Sequence, residues 1–299
     1  MPSKNTIQKT EKTGSVIGDH ADRTSAPADS GNVQGDSASG PQKLRRLYLS
    51  LLRCRMVQER IAALRVAEEI AAPYELAIGR EAISVGATAE LSASDTVAAS
   101  RRNLAARLAR GVPIASVLGH SNVTNGCTCA DFIPEDPFNS GAGIALAHKL
   151  EQKGNVVVAL CHQEQPPLER WHDALRFAAV NQLPIAFVIE NGIAAESSSS
   201  QQAPYLEPVS FMARDYGFPG IIVDGSDVVA VWRVAQEAIH RARIGSGPTL
   251  IDCRTDRARD PLVHMERYLR KRNLWDDAWR SRMEREIRSA IDSALQRST

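Results

Sequence analysis

The sequence predicts an α/β fold, a doubly wound and mainly parallel sheet with helices on both faces. Residues 155–161 and 183–190 are short, continuous apolar runs, which is typical of parallel strands covered on both sides. Helical segments separate these runs from each other and from further strand candidates at 220–223 and 248–252. Strands that alternate with helices at this spacing form doubly wound sheets.

The first 42 residues differ in composition from the rest of the chain. They are rich in Ser, Gly, Asp, Thr and Lys and contain almost no large apolar residue, so burial cannot offset the entropy lost on ordering. We therefore predict a disordered tail at 1–42 and one domain at 43–299. The tail lacks the apolar segment of a secretory signal, and its acidic residues are unusual in organellar transit peptides. A reduced, cytoplasmic setting is the expectation, because the five scattered cysteines do not suggest a disulfide scaffold.

The domain is expected to begin with helices and to continue with strand–helix alternation. Leu44, Leu47 and Leu51 recur at helical spacing and start a long amphipathic helix that continues beyond Ile61. Gly245 is a plausible helix stop. The further predicted elements are a helix at 79–91, a strand at 95–100, helices at 103–110, 114–118 and 142–152, a strand at 155–161, a helix at 168–181, a strand at 183–190, a helix at 209–216, a strand at 220–223, a helix at 227–244, a strand at 248–252, and helices at 261–273 and 276–295.

Doubly wound sheets bind ligands beyond the carboxyl ends of their strands. We therefore expect the chemistry of this protein in the loops that follow Cys161 and Glu190. The glycines of the segment 141–147 faintly resemble a dinucleotide-binding loop, but they follow a presumed loop at 135–139 rather than a strand. Close helix packing is the better interpretation of Gly141 and Gly143.

Charge balance argues against two classes of partner. The chain has 36 Lys and Arg against 35 Asp and Glu, which gives no electrostatic footprint for nucleic acid or for an anionic membrane surface. No apolar run approaches the roughly 20 residues that span a bilayer. We expect neither a nucleic acid nor a membrane as a partner.

The five cysteines form no recognisable framework. An odd number scattered along a long chain argues against a disulfide scaffold. Cys127 and Cys129 with His120 upstream, and the adjacent Cys161 and His162, have spacings that fit no common zinc pattern. We interpret the cysteines as structural or incidental.

Six segments, in the same order along the chain, resemble one enzyme family. The segments are YELAIGREA at 74–82, 95–111, HDAL at 172–175, LPIAFVIEN at 183–191, YGFPG with VDGSDV at 216–228, and GPTLI at 247–251. Together they resemble the α-subunits of the thiamine-diphosphate-dependent 2-oxo acid dehydrogenases, the E1 component of the pyruvate, branched-chain and acetoin type. The resemblance implies the thiamine-diphosphate-binding fold and an α₂β₂ assembly with the cofactor at the α/β interface.

The resemblance also implies where Mg²⁺ would bridge the diphosphate of the cofactor. Mg²⁺ prefers near-octahedral oxygen ligation. The three ligand positions of the family fall on Gln163, Gly192 and Ala194. Gln163 replaces a carboxylate by a neutral amide, Gly192 has no side chain, and Ala194 offers only its backbone carbonyl. Losing both side-chain ligands is expected to weaken metal and cofactor binding severely.

Three residues remain as candidates for cofactor binding by the same resemblance. Arg102 keeps the place of a diphosphate-binding arginine and a guanidinium can meet a phosphate bidentately; a solvated surface arginine is the alternative. Glu164 follows the lost carboxylate position, and Asn191 ends the matched strand. The glycine-rich cofactor loop of the family is reduced to 128–140 without its motif, and a histidine-bearing loop is missing after 253–257.

These departures leave three hypotheses. The first is a non-catalytic or cofactor-impaired E1 α-like chain with a structural or regulatory role, partnered by an E1 β-like subunit or by itself. The alternative is a divergent thiamine-diphosphate-dependent 2-oxo acid dehydrogenase subunit that acts with a β-subunit. The third is a new activity that uses Cys161, His162 and Glu164, which is disfavoured because consecutive strand residues point to opposite faces.

Overall fold

The computed structural model describes residues 40–69, 74–100, 103–118, 136–162, 168–192, 210–256 and 258–296. All of these residues lie in one contact unit, Ala38–Thr299. The predicted tail lies outside the described residues except for positions 40–42, which are helical. Its disorder stays a prediction.

A parallel sheet organises the described residues, as the sequence predicts. Its strands follow the order β1-β2-β3-β5-β4, and each neighbouring pair is parallel. The strands are β1 Thr96–Ala99, β2 Val157–His162, β3 Ile185–Gly192, β4 Gly220–Asp224 and β5 Thr249–Thr255.

Helices precede, connect and follow these strands, and each predicted helix is present with shifts of a few residues at its ends. Among the described helices, none combines the length and the apolar character required to traverse a bilayer. The helices are α1 Gly40–Val66, α2 Glu81–Thr88, α3 Leu104–Ala109, α4 Ile114–Leu118, α5 Pro137–Glu151, α6 Leu168–Val180, α7 Ser210–Asp215, α8 Val228–Arg243, α9 Pro261–Lys271 and α10 Asp277–Gln296.

Two apolar clusters cover the two faces of the sheet. The first face packs on α1–α4 and α8–α10, and its strand residues include Val158, Leu160 and Val188. The second face packs on α5–α7, with Ala159 and Phe187 among its strand residues. Successive strand residues alternate between the clusters, as the pleat of a strand requires. This alternation explains the continuous apolar runs of the sequence.

The amino end of α5 lies earlier than the sequence predicts. Residues 135–139 were expected to form a loop, but α5 begins at Pro137 with Asp136 as its cap. The Asp136 carboxylate accepts a hydrogen bond from the backbone N–H of Asn139 at 3.1 Å, and proline is favoured in the first helical turn. The apparent loop chemistry of the sequence is therefore the chemistry of a helix start.

The two glycines of α5 have different surroundings. A Cβ on Gly141 would lie 3.1 Å from the Cβ of Ala159 and 3.2 Å from that of Ala98, so this glycine allows α5 to lie close to the sheet, as predicted. A Cβ on Gly143 would meet nothing within 4 Å, and the packing interpretation is wrong for this residue. Gly245 has a φ of +78° after α8 and ends that helix, as predicted.

Gly86 provides a test of close packing between α2 and α8. A Cβ at this position would lie 2.8 Å from the Cβ of Val231 and 3.0 Å from the backbone nitrogen of Trp232. We expect Gly86→Ala to lower the free energy of unfolding by about 1–3 kcal/mol, because the helices must move apart. The control Gly143→Ala should raise it by up to about 1 kcal/mol, since alanine favours the helix. Urea unfolding measures both, and equal effects would contradict the packing argument.

Candidate functional site

A buried carboxylate and an imidazole meet at the carboxyl edge of the sheet. His162 ends β2, and Glu190 is its register partner on β3. The His162 Nδ1 lies 3.2 Å from the Glu190 Oε2, and the Glu190 side chain is 1% exposed. Asn103, which caps α3, donates from Nδ2 to the Glu190 Oε1 at 3.2 Å. Three elements therefore converge on one carboxylate.

Two charged side chains that precede α2 complete this group. The Glu75 Oε2 lies 3.7 Å from the His162 Nε2, and the Arg80 Nη1 lies 3.5 Å from the His162 Nδ1. The imidazole is thus placed between two carboxylates and beside a guanidinium. We call His162, Glu190, Asn103, Glu75 and Arg80 the His162 cluster. It lies on the first face of the sheet.

The contact between His162 and Glu190 is close but not aligned as a hydrogen bond. The Glu190 Oε2 is buried and has no hydrogen-bond partner among the described residues, although the imidazole nitrogen is 3.2 Å away. A buried carboxylate is costly unless an opposite charge lies near it. The imidazole of His162 is therefore the polar group that the described residues place beside this oxygen.

Asn191 points to the other face of the sheet. Its Nδ2 donates to the Oδ1 of the fully buried Asp252 at 3.3 Å. The Asp252 Oδ2 accepts from the Arg254 Nε, also at 3.3 Å. Because Glu190 and Asn191 are consecutive strand residues, their side chains lie on opposite faces. The carboxyl edge therefore carries two separate polar groups, and the Asn191 amide belongs to the one that does not contain His162.

The other predicted site residues lie mostly outside the described residues. This applies to Arg102, Gln163, Glu164 and Ala194. Gly192 is the last residue of β3, at the predicted edge, and offers no side chain. Within the described part of the chain, no group of three or more His, Cys, Asp or Glu side chains is arranged to hold a metal ion.

The described cysteines are buried free thiols. They are Cys54, Cys161 and Cys253. Burial raises the pKa of the Cys161 thiol to about 12, and the nearby Asp136 and Glu190 carboxylates add to the effect. Cys161 packs in the apolar cluster of the second face, whereas His162 contacts Glu190 on the first. The two side chains thus lie on opposite faces of the sheet, as the strand alternation predicts. The pair Cys127 and Cys129 lies outside the described residues.

A buried ion network supports the segment that carries Glu75 and Arg80. The Arg55 Nε of α1 contacts the Glu81 Oε1 at 2.5 Å, and the Arg55 Nη1 contacts the Asp260 Oδ2 at 2.7 Å. Glu81 is fully buried. Burial by itself would raise the pKa of Asp260, but the hydrogen bond from Arg55 holds that pKa below its ordinary value. The network therefore ties α1, α2 and α9 together beside the His162 cluster.

Arg55→Gln tests this network. It should lower the free energy of unfolding by about 3 kcal/mol, because Glu81 stays buried without its partner. The pKa of Asp260 is lower in the folded state than in the unfolded state. Its contribution to the free energy of unfolding is therefore complete above the unfolded-state pKa and is lost as the pH falls through the folded-state pKa. The variant should therefore lose less stability on acidification than the parent chain. Urea titrations at several pH values measure both effects.

The matched control is Arg270→Gln, which breaks an exposed pair with Asp277, whose side chains are 54% and 75% exposed. Exposed pairs contribute less than about 1 kcal/mol. A control as destabilised as Arg55→Gln would contradict the special role of the buried network.

A double-mutant cycle tests the His162 cluster. His162→Ala should lower the free energy of unfolding by about 2 kcal/mol, because it removes the polar group that lies beside the buried Glu190 carboxylate. His162→Ala combined with Glu190→Gln should recover most of that loss, since the neutral amide needs no counter-charge. Losses that simply add in the double variant would show that the two side chains do not interact.

Sequence reasoning did not single out Glu75, Arg80 or Asn103. These residues are far from His162 in the sequence. The sequence indicated this site only through Glu190, which lies at the end of a predicted strand. The cluster forms because the segment before α2 passes over the end of β2, where Glu75 bridges to Asn103.

Comparison with known proteins identifies relatives of the chain. The family model described as dehydrogenase E1 component matches residues 50–259, more than half of the sequence. The α-subunit of the acetoin:2,6-dichlorophenolindophenol oxidoreductase of Bacillus subtilis is 30% identical over 229 residues, which are 71% of this chain and 69% of that protein. The 3-methyl-2-oxobutanoate dehydrogenase α-subunit of Mycobacterium tuberculosis is 30% identical over 266 residues, covering 78% of this chain and 72% of that one.

A solved structure gives a weaker likeness. It is a Mycobacterium smegmatis protein described as a thiamin diphosphate-dependent enzyme, with 19% sequence identity and a TM-score of 0.42. The likeness covers 62% of this chain and 32% of the solved one. The chain therefore spans about a third of the length of that protein.

Proposed function

Because the chain belongs to the dehydrogenase E1 component family, we propose that it is an E1 α-like subunit with an impaired cofactor site. Its role is structural or regulatory within an α/β-type assembly. The observation that carries the proposal is the carboxyl end of β3, where Gly192 offers no side chain and the Asn191 amide is bonded to Asp252. The family resemblance places one metal ligand at Gly192.

The proposal is supported by the partners of the carboxylates that the structure describes at the carboxyl edge. Mg²⁺ requires several oxygen ligands in octahedral arrangement, commonly with a carboxylate among them. The buried carboxylate of Glu190, two residues before Gly192, accepts a hydrogen bond from Asn103 and contacts His162. Asp252 on the other face is engaged by Asn191 and Arg254. Both carboxylates are thus already used by the chain itself.

The charges of the His162 cluster also oppose a phosphate-bearing ligand. Glu75 and Glu190 carry negative charge on the first face of the edge, and a diphosphate adds more charge of the same sign. Among the described residues of the cluster, Arg80 is the one whose positive charge does not depend on pH. The family resemblance implies that the Arg102 guanidinium would add a second positive charge. This balance supports weak or lost binding of thiamine diphosphate.

Assembly with a second chain is supported by the relatives, which are named as α-subunits. This naming suggests an E1 β-like subunit as the partner. Self-association of the chain is the alternative form of assembly. The surface of α6 is compatible with a partner: His172 is exposed, and Phe177 and Val180 are 41% and 78% exposed. Gly86, in contrast, packs inside the protein against Val231. The packing of α2 on α8, rather than contact with a partner, therefore explains why this segment resembles the family.

Calorimetric titration of thiamine diphosphate with Mg²⁺ tests the proposal. We expect no saturable heat at micromolar concentrations from the chain alone or co-expressed with an E1 β-like subunit, because both side-chain ligands of the metal are replaced. Co-purification of the β-like subunit, followed by size-exclusion chromatography, tests the assembly separately.

Saturable micromolar binding that requires Mg²⁺ and is lost in Arg102→Gln would contradict the impaired-site proposal. A divergent, catalytically active 2-oxo acid dehydrogenase subunit would then be the better description. The control Arg46→Gln makes the same charge change at an exposed position of α1. It separates loss of a specific contact from a general electrostatic effect.

A further inference from the structure

We propose that a basic depression at the amino edge of the sheet binds a small oxyanion, presented by a phosphate or a carboxylate group. The depression lies at the opposite edge from the His162 cluster, between the carboxyl ends of α5 and α8 and the residues that lead into β2 and β3. The proposal does not depend on the cofactor or on the assembly discussed above.

The depression has the size of a small-molecule site. Its volume is about 320 Å³, within the range of known ligand pockets. The last turn of α5 contributes His148 and Lys149, and Arg243 comes from the last residue of α8. Pro184 and Ala242 also line the depression and are themselves buried. A combination of apolar and a few polar lining residues is typical of sites that orient a small ligand.

The ionisable side chains that line the depression are all basic. They are His148, Lys149 and Arg243, and no Asp or Glu is among the lining residues. The nearby carboxylate of Asp95 is fully buried and accepts two hydrogen bonds from Arg243, at 3.1 and 2.7 Å. Asp95 therefore fixes the guanidinium in place without facing the depression itself.

Lys149 and Arg243 have more N–H donors than contacts within the protein. The Lys149 ammonium uses one proton on the backbone carbonyl of Asn181 at 2.5 Å, and an ammonium has three. The His148 Nε2 contacts the Thr96 hydroxyl at 3.0 Å. Arg243 reaches Asp95 and Gly154 through its two terminal nitrogens. Charge-assisted hydrogen bonds from such groups favour oxyanions.

Helix dipoles explain only part of this arrangement. Basic side chains in the last turns of α5 and α8 also interact with the carboxyl ends of these helices. Two amide side chains, those of Gln152 and Gln182, also line the depression. An amide NH₂ group can donate hydrogen bonds to an oxyanion.

The experiment uses the full chain in a chloride buffer of constant ionic strength. Inorganic phosphate and malonate are titrated separately, and binding is followed by calorimetry and by the rise of the unfolding temperature. We expect saturable single-site binding of at least one probe. Lys149→Gln should weaken it at least about fivefold, because one charge-assisted hydrogen bond is lost.

The matched control is Lys153→Gln. Lys153 is 68% exposed, pairs with Glu151 and does not line the depression, so the affinity should stay within about twofold. Binding of phosphate alone identifies a phosphate ligand, and binding of malonate alone identifies a carboxylate. Saturation by neither probe, or equal losses in the two lysine variants, would overturn the proposal. Because the probes and variants address the amino edge, failure here leaves the cofactor question untouched.

Discussion

A parallel sheet must be covered on both faces, and this constraint determines where every described helix lies. The central pair of strands, β3 and β5, shows it most clearly, since their side chains enter the apolar cluster of one face or the other in strict alternation. α5–α7 cover the second face, and the remaining helices cover the first. The close approach of α2 to α8 at Gly86, and of α5 to the sheet at Gly141, follows from this requirement.

The same alternation separates the polar side chains of the carboxyl edge into two groups, one on each face of the sheet. Once the apolar residues of β3 are assigned to their faces, Glu190 must lie on the first face and Asn191 on the second. Each side chain then finds its own partners, Asn103 and His162 for the glutamate and Asp252 for the asparagine. A single metal-bridged ligand would have to draw on groups that the chain has already paired with each other.

This pairing connects the family membership with the proposed loss of cofactor binding. The chain belongs to the dehydrogenase E1 component family and contains a five-stranded parallel sheet. Buried carboxylates at the edge have partners within the chain: Glu190 contacts His162 and Asn103, and Glu81 contacts Arg55. These contacts support the proposal of a structural or regulatory subunit.

The sequence by itself determined the fold class, the order of the elements and the family, because apolar runs, helical periodicity and collinear motifs are local or additive signals. It also located the ends of β2 and β3 as the edge where polar residues gather. Only the tertiary structure decided which of those residues meet. Glu75, Arg80 and Asn103 reach His162 or Glu190 through contacts between segments that are distant in the sequence. The prediction for Gly143 was wrong because the residues that surround a glycine in space cannot be read from its neighbours in the sequence. The basic depression arises in the same way, since the ends of α5 and α8 are distant in sequence and meet only because both helices return to the amino edge of one sheet.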